Sequence, residues 1–245
     1  MASNYLICGT PRTGSTLLCQ YLTSAEVAGR PHSYFRKQDM VSWAENWRIL
    51  DSNGSYRFAD YIIGTCAAAS TENGVIAIRV MWGSLEELLR ELGQLYPQLA
   101  GRDLALLEKA FGQLKFVYLC RNDVTAQAIS LYRAEKTDYW HSVEGQPPSR
   151  QPLFDFDEIR SRVEMLEQHN VAWQNWFQKA GVNPLAINYE ELSADPVCCT
   201  QKVLEFLELT LPEHKRLEAP NRPLADETTA AWIEEFRRQL RNRTT

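Results

Sequence analysis

Four short apolar runs punctuate the chain, Tyr5–Cys8, Val75–Met81, Phe116–Cys120 and Leu185–Ile187. The first and third are each followed by polar turn residues and then by an amphipathic stretch, the order expected of buried parallel strands that feed helices. Apolar residues at three- and four-residue steps predict helices over about 84–95, 102–111, 123–136, 156–180, 195–208 and 227–242, besides one opening at Leu17-Leu18. In the helix over 156–180, Ile159, Val163, Leu166, Asn170, Trp173 and Phe177 form a stripe that should lie on the sheet, and Gly181 should end the helix as its C-cap. Asp195 before Pro196 reads as a cap, and Glu190 and Glu191 as helix entry. The alternation predicts an α/β fold, a P-loop-like three-layer domain whose central, mostly parallel sheet is flanked by helices. Segments 30–60 and 138–155 read as irregular, the second broken by Pro147-Pro148, and loops that long in a compact domain are usually functional or disordered. Neither an internal repeat nor a linker interrupts the pattern, so residues 1–245 read as a single domain.

Composition narrows the function classes. With 245 residues of which 44% are hydrophobic, the chain can bury a sizeable core, which excludes disorder as a whole. Asp and Glu (31) outnumber Lys and Arg (26), a net charge of −5, so no overall basic field draws a nucleic-acid backbone and a nucleic-acid partner is not expected. Six cysteines lack the paired C-x-x-C spacing of a zinc site and are sparse for a disulfide scaffold, and they read as reduced thiols. No apolar stretch approaches the roughly 20 residues of a membrane span, and the polar start has no charged leader region. A cytoplasmic location is the expectation.

Chemistry enters where the first strand ends. Gly9-Thr10-Pro11-Arg12-Thr13-Gly14-Ser15-Thr16 is a glycine-bracketed loop between a strand and a helix start, where unpaired backbone N–H groups and the helix dipole make an anion cradle. Its spacing equals the phosphate loop G-x-x-x-x-G-K-[ST], except that Ser15 stands where the lysine should be. The strand over 114–120 finishes in Arg121, a cation where a nucleotide hydrolase wants an acid for its metal. Arg12 can fork onto two oxygens of a phosphate or sulfate. The plainer reading is a strand-to-helix turn that carries a surface arginine. His141, His169 and His214 share no metal-ligand spacing with nearby acids or cysteines, so no metal site is expected.

Two further segments, Arg121-Asn122-Asp123-Val124-Thr125-Ala126-Gln127-Ala128-Ile129-Ser130 and Ile187-Asn188-Tyr189-Glu190-Glu191-Leu192-Ser193-Ala194-Asp195-Pro196, join the loop to make a resemblance. Together the three resemble the sulfotransferases that use 3′-phosphoadenosine-5′-phosphosulfate (PAPS). Tyr5-Leu6 through Thr16-Leu17-Leu18, Val27-Ala28-Gly29, Tyr34-Phe35 and Gln127-Ala128-Ile129-Ser130 make the chain most similar to the bacterial trehalose 2-sulfotransferase family. The resemblance implies that Pro11, Arg12, Thr13, Gly14, Ser15 and Thr16 hold the 5′-phosphosulfate, and that Arg121 and Ser130 clamp the 3′-phosphate. It further implies a homodimer, a carbohydrate or glycolipid acceptor and, since sulfuryl transfer can run on positioning and charge stabilisation, no metal.

The acceptor segment departs from that family. The resemblance places the carboxylate base at Ser33 and a second acidic sugar contact at Arg30. Serine is a poor base near neutral pH, whereas the adjacent His32 titrates in that range and becomes the candidate for the acceptor's proton, with a surface or capping histidine as the alternative. Arg30, His32, Ser33 and Arg36 are the candidate acceptor contacts, and their charge points to an acceptor that is anionic or presents hydroxyls unlike those of trehalose. Trp43, Trp47 and Trp140 are candidates to stack on sugar faces or to pack a core or interface. Arg79 reads as reaching the transferred sulfate or pairing with a helix carboxylate, and Arg222, Arg237, Arg238, Arg241 and Arg243 as a solvated face from which Arg222 could close over the 3′-phosphate. Two competitors to a PAPS-dependent sulfotransferase stay open: a catalytically inactive PAPS/PAP-binding protein, motivated by Ser33, and a P-loop kinase.

Overall fold

The computed structural model describes residues 4–138, 140, 152–218 and 227–244. Four strands, β1 (Asn4–Gly9), β2 (Ala77–Met81), β3 (Leu114–Cys120) and β4 (Leu185–Asn188), form one all-parallel sheet in the order β2-β1-β3-β4. The chain runs from β1 outward to β2 and then returns to β3 on the other side of β1. That reversal places a crevice outside the carboxyl ends of β1 and β3, the customary ligand position in open α/β sheets.

Alternation along the strands builds the two faces. Leu6 and Cys8 of β1 with Ile78 and Val80 of β2 point into one buried cluster, and Tyr5 and Ile7 with Ala77 into the other. The first face is covered by α2 (Lys37–Asn46), α3 (Phe58–Ala69), α4 (Trp82–Leu95), α5 (Asp103–Phe111) and the C-terminal half of α7 (Phe156–Ala180). The second lies under α1 (Ser15–Ser24), α8 (Tyr189–Ala194) and α9 (Pro196–Phe206). A third cluster joins α6 (Val124–Thr137), the first half of α7 and α10 (Glu227–Thr244), with Phe156 stacked on Phe236 at 4.8 Å.

The expected helices are present, with α1 starting at Ser15, two residues before the apolar pair. Gly181 ends α7 at φ 65°, and the Asp195 side chain accepts from Cys198 N–H at the start of α9, as their positions suggested. The reading of 30–60 as irregular holds for 30–36 and 47–57 but fails for 37–46, which form α2, and for 58–60, which open α3. Met40, Trp43, Ala44 and Trp47 line the inner side of α2, and Phe58, Tyr61, Ile62 and Ala69 of α3 pack on the same cluster. Trp47 lies so close to α3 that a Cβ on Gly64 would meet its ring at 2.5 Å. Most of 138–155, with Pro147-Pro148, lies outside the described residues, as do His141 and Arg222.

Candidate active site

The loop after β1 is shaped by two left-handed residues, Arg12 at φ 67° and Gly14 at φ 76°. Gly14 is the N-cap of α1 and offers no side chain to the first-turn N–H groups, and the first turn carries no acid. A Cβ there would come within 2.9 Å of the Tyr189 ring, so the position requires glycine for space as well as conformation. The loop is pinned from behind. Gln127 Nε2 donates to Thr10 Oγ1 (2.9 Å) and the Pro11 carbonyl (2.6 Å), Thr13 Oγ1 donates to the Thr10 carbonyl (2.9 Å), and Trp173 Nε1 donates to the Gly9 carbonyl (2.8 Å). Thr10 Oγ1 and the Tyr118 hydroxyl both reach Asn170 Oδ1, which explains why the α7 stripe contains one polar residue.

Two arginines meet beside the loop. Arg12 Nε donates to Ser130 Oγ at 3.0 Å and its Nη1 to the Trp140 carbonyl at 2.7 Å. Arg121 Nη1 donates to the Arg12 carbonyl at 3.3 Å, and its guanidinium lies 4.2 Å from the centre of the Tyr189 ring. Burial and the neighbouring Arg121 charge lower the pKa of Arg12. Burial lowers that of Arg121 against the pull of Tyr189, Glu190 and Asp123. Among the described residues no carboxylate hydrogen-bonds either guanidinium, and the buried Nε of Arg121 has no partner. Two cations held together with no carboxylate hydrogen-bonded to either, and with Glu190 and Asp123 acting on Arg121 only at longer range, offer a place for an anion between them. Ser130 contributes a hydroxyl to the same place.

A second cationic pole lies on the other side of β1. Arg79, opposite Ile7 in the β1–β2 register, donates through Nε to Ser33 Oγ (2.8 Å) and through Nη1 to Thr16 Oγ1 (2.9 Å) and Ser15 Oγ (3.4 Å). Of the two sequence readings of Arg79, the helix-carboxylate pairing does not form among the described residues: hydroxyls of the loop helix and of the acceptor segment hold the guanidinium.

The acceptor segment runs along the free side of β2. His32 bridges to Ile78, and its carbonyl accepts from Arg79 N–H at 3.0 Å. Its exposed ring sits edge-on to Trp43 at 5.1 Å and 5.7 Å from Tyr34, while Trp43 in turn stacks on Trp47. Ser33 is buried against Arg79. Arg36 pairs with Asp39 at 3.3 Å and lies 5.5 Å from the Trp140 ring, so Trp140 links Arg36 to Arg12. Arg30 turns to the Ser70 carbonyl at 3.0 Å. The structure therefore groups Arg12, Arg121 and Ser130 at one pole and Ser15, Thr16 and Ser33 around Arg79 at the other. Of the C-terminal arginines, Arg237 pairs with Asp123, Arg238 with Glu235 and Arg243 with Asp157, as on a solvated face. Supporting roles of Asn170 and Tyr189 were not apparent in the sequence; the lone polar position in the α7 stripe was the available signal for Asn170. Among the described residues no group of three or more His, Cys, Asp and Glu is arranged to hold a metal ion, and no helix is long and apolar enough to cross a membrane.

A parallel sheet with an uncapped helix start and cationic clusters outside its carboxyl ends makes an anion-binding site. Residues 4–239 match the Stf0 sulphotransferase family, and the chain belongs to it. The chain is 26% identical over 255 residues to a trehalose 2-sulfotransferase of Mycobacterium tuberculosis (strain ATCC 35801 / TMC 107 / Erdman), covering 95% of this chain and 94% of that one. It is 28% identical over 263 residues to a trehalose 2-sulfotransferase of Mycolicibacterium smegmatis (strain ATCC 700084 / mc(2)155), covering 96% and 94%. The sulfotransferase domain from the curacin biosynthetic pathway shares the fold, with a TM-score of 0.51 at 14% identity over 98% of both chains. The chain is thus an enzyme of the sulfotransferase class.

Proposed function

We propose that the chain moves a sulfuryl group from PAPS to a hydroxyl of a carbohydrate or glycolipid acceptor. The observation that carries this reading is the half-buried Arg12–Arg121 pair, with no carboxylate hydrogen-bonded to either among the described residues, set beside an uncapped helix start. A donor with anionic groups at both ends of one ribose needs two such places. In this reading the Thr13 to Thr16 turn and the preceding Pro11 and Arg12 cradle the 5′-phosphosulfate, and Arg121 and Ser130 hold the 3′-phosphate. Arg12 spans both places, its backbone in the loop and its guanidinium at Ser130, and it stabilises charge on the departing phosphate. The acceptor lies along Arg30, His32, Ser33 and Arg36, and the exposed His32 ring takes the hydroxyl proton. The trehalose 2-sulfotransferase relatives support a carbohydrate acceptor. Ser33 in the base position favours one second reading, a protein that binds the donor without turning it over.

Thermal unfolding with 3′,5′-ADP, the desulfated donor, and separately with Mg²⁺-ATP tests the donor assignment. A ligand that binds only the folded chain stabilises it by about 2.7 kcal/mol at a hundred times its dissociation constant. The expected result is a rise in Tm with 3′,5′-ADP. A rise with Mg²⁺-ATP alone would overturn the proposal in favour of a kinase.

A further inference from the structure

In phosphate loops of the G-x-x-x-x-G-K-[ST] spacing, the last hydroxyl reaches a Mg²⁺ ion that neutralises the transferring group. Thr16 occupies that last position here, and its Oγ1 accepts instead from a guanidinium on the neighbouring strand, Arg79 Nη1, at 2.9 Å. Ser15, where the loop's lysine would stand, faces the same Nη1 at 3.4 Å. The other edge of the guanidinium is held by Ser33 Oγ at 2.8 Å, and Ser33 belongs to the acceptor segment. Arg79 therefore stands where the donor helix and the acceptor strand meet. The partners described for its guanidinium are the neutral hydroxyls of Ser15, Thr16 and Ser33 and the Cys19 thiol, and among the described residues no carboxylate pairs with it.

Resting on the donor reading above, we propose that Arg79 is a catalytic residue that grips the transferring sulfuryl group, a fixed cation in the place where related loops hold a metal ion. Ser33 is a positioning residue that sets the angle of the guanidinium. As the acceptor oxygen forms its new bond to sulfur, the bond from sulfur to the 5′-phosphate oxygen breaks and its electron pair stays on that oxygen. The hydroxyl proton passes to His32. Charge on the sulfuryl oxygens is spread widest at mid-transfer, and a preorganised guanidinium stabilises it there without having to move. The half-buried place raises the worth of that contact above its value in water.

PAPS and 3′,5′-ADP differ by the sulfuryl group alone, so a residue that grips that group must distinguish them. Dissociation constants for both ligands, and turnover under saturating donor, would be measured for the wild type, Arg79→Gln, Arg79→Lys and Ser33→Ala, with the Tm of each free protein recorded. Arg79→Gln is expected to leave 3′,5′-ADP affinity within about twofold, to weaken PAPS about tenfold and to lower kcat by about 10²-fold or more. Arg79→Lys should recover much of the PAPS affinity and only part of kcat, because a lysine supplies the charge without the fork. Ser33→Ala should spare both affinities and lower kcat about tenfold. Turnover of the wild type should be unchanged by EDTA. Equal weakening of both ligands, or unchanged PAPS affinity and turnover, in Arg79→Gln and Arg79→Lys would overturn the role of Arg79. Failure of the wild type to bind either ligand would instead remove the donor reading on which it rests.

Discussion

Arg121→Met separates what the second arginine does for the fold from what it does for the ligand. In the free protein Arg121 gives one 3.3 Å hydrogen bond to the Arg12 carbonyl and a face contact with Tyr189 at 4.2 Å. Those contacts are worth about 1–2 kcal/mol together. Against them stand the burial that lowers the pKa of both guanidinium groups and the repulsion by which the Arg121 charge lowers that of Arg12 further. The opposing contributions are of similar size, so the free variant should unfold within about 1 kcal/mol of the wild type, or about 2–4 °C for a chain of this length. Binding should respond very differently, since truncating one partner of a buried charge contact costs about 2–5 kcal/mol. At a concentration of 3′,5′-ADP that stabilises the wild type by about 2.7 kcal/mol, a hundredfold loss of affinity leaves only about 0.4 kcal/mol. A ligand-induced rise of about 5–11 °C would then fall to about 1–2 °C. The assay is a Tm series for both proteins over a titration of 3′,5′-ADP. A variant that keeps the wild-type rise would remove Arg121 from the ligand site, and one that unfolds many degrees earlier without ligand would make it a structural residue.

Other substitutions and conditions test the rest. His32→Ala should lower kcat at least tenfold in steady-state kinetics while leaving 3′,5′-ADP affinity nearly unchanged; full activity would end its assignment as the base. Gln127→Leu strands the Pro11 carbonyl, although it also deletes the unpartnered Oε1 of Gln127, and should cost about 1–3 kcal/mol, read as a lower urea midpoint. Alkali should destabilise the fold through its buried thiols. Burial pushes the Cys19 thiol up to about 11 and raises Cys8 as well, from an ordinary value near 9. Their contribution is intact below pH 9 and is lost as the pH rises towards 11, because the unfolded thiols ionise first. Urea midpoints at pH 8, 9.5 and 10.5 should fall in that order, and a flat series would contradict the burial.

How much of this was legible in the sequence depended on distance along the chain. Strands announced themselves by short apolar runs, and caps such as Gly181 and Asp195 by single residues whose preference is local. The pole at Arg121 and Ser130 could be placed because both sit on one strand-to-helix unit, nine positions apart. α2 and α3 were missed for physical reasons. In α3 the run Tyr61-Ile62-Ile63-Gly64-Thr65 mixes β-branched residues with a glycine, all weak helix formers, and packing of Trp47 against Gly64 decides the outcome. The convergence on Arg79 was illegible for another reason. It joins Thr16 and Ser33 across 63 and 46 residues, and only the β1–β2 register brings them together. Of the two readings of Arg79 open in the sequence, the hydrogen-bond partners described speak against the pairing with a helix carboxylate.

Sulfuryl transfer itself distinguishes a working sulfotransferase from a protein that only binds the donor. The chain would be incubated with PAPS carrying labelled sulfur and a panel of neutral disaccharides, anionic sugars and glycolipids, with and without EDTA, while label in organic product and released 3′,5′-ADP are counted together. The account predicts label in at least one hydroxyl acceptor, one 3′,5′-ADP released for each sulfuryl group moved, and a preference for anionic over neutral sugars that follows from Arg30, His32 and Arg36. Tight binding of 3′,5′-ADP with no label transferred to any acceptor would contradict it and leave a donor-binding protein that does not catalyse.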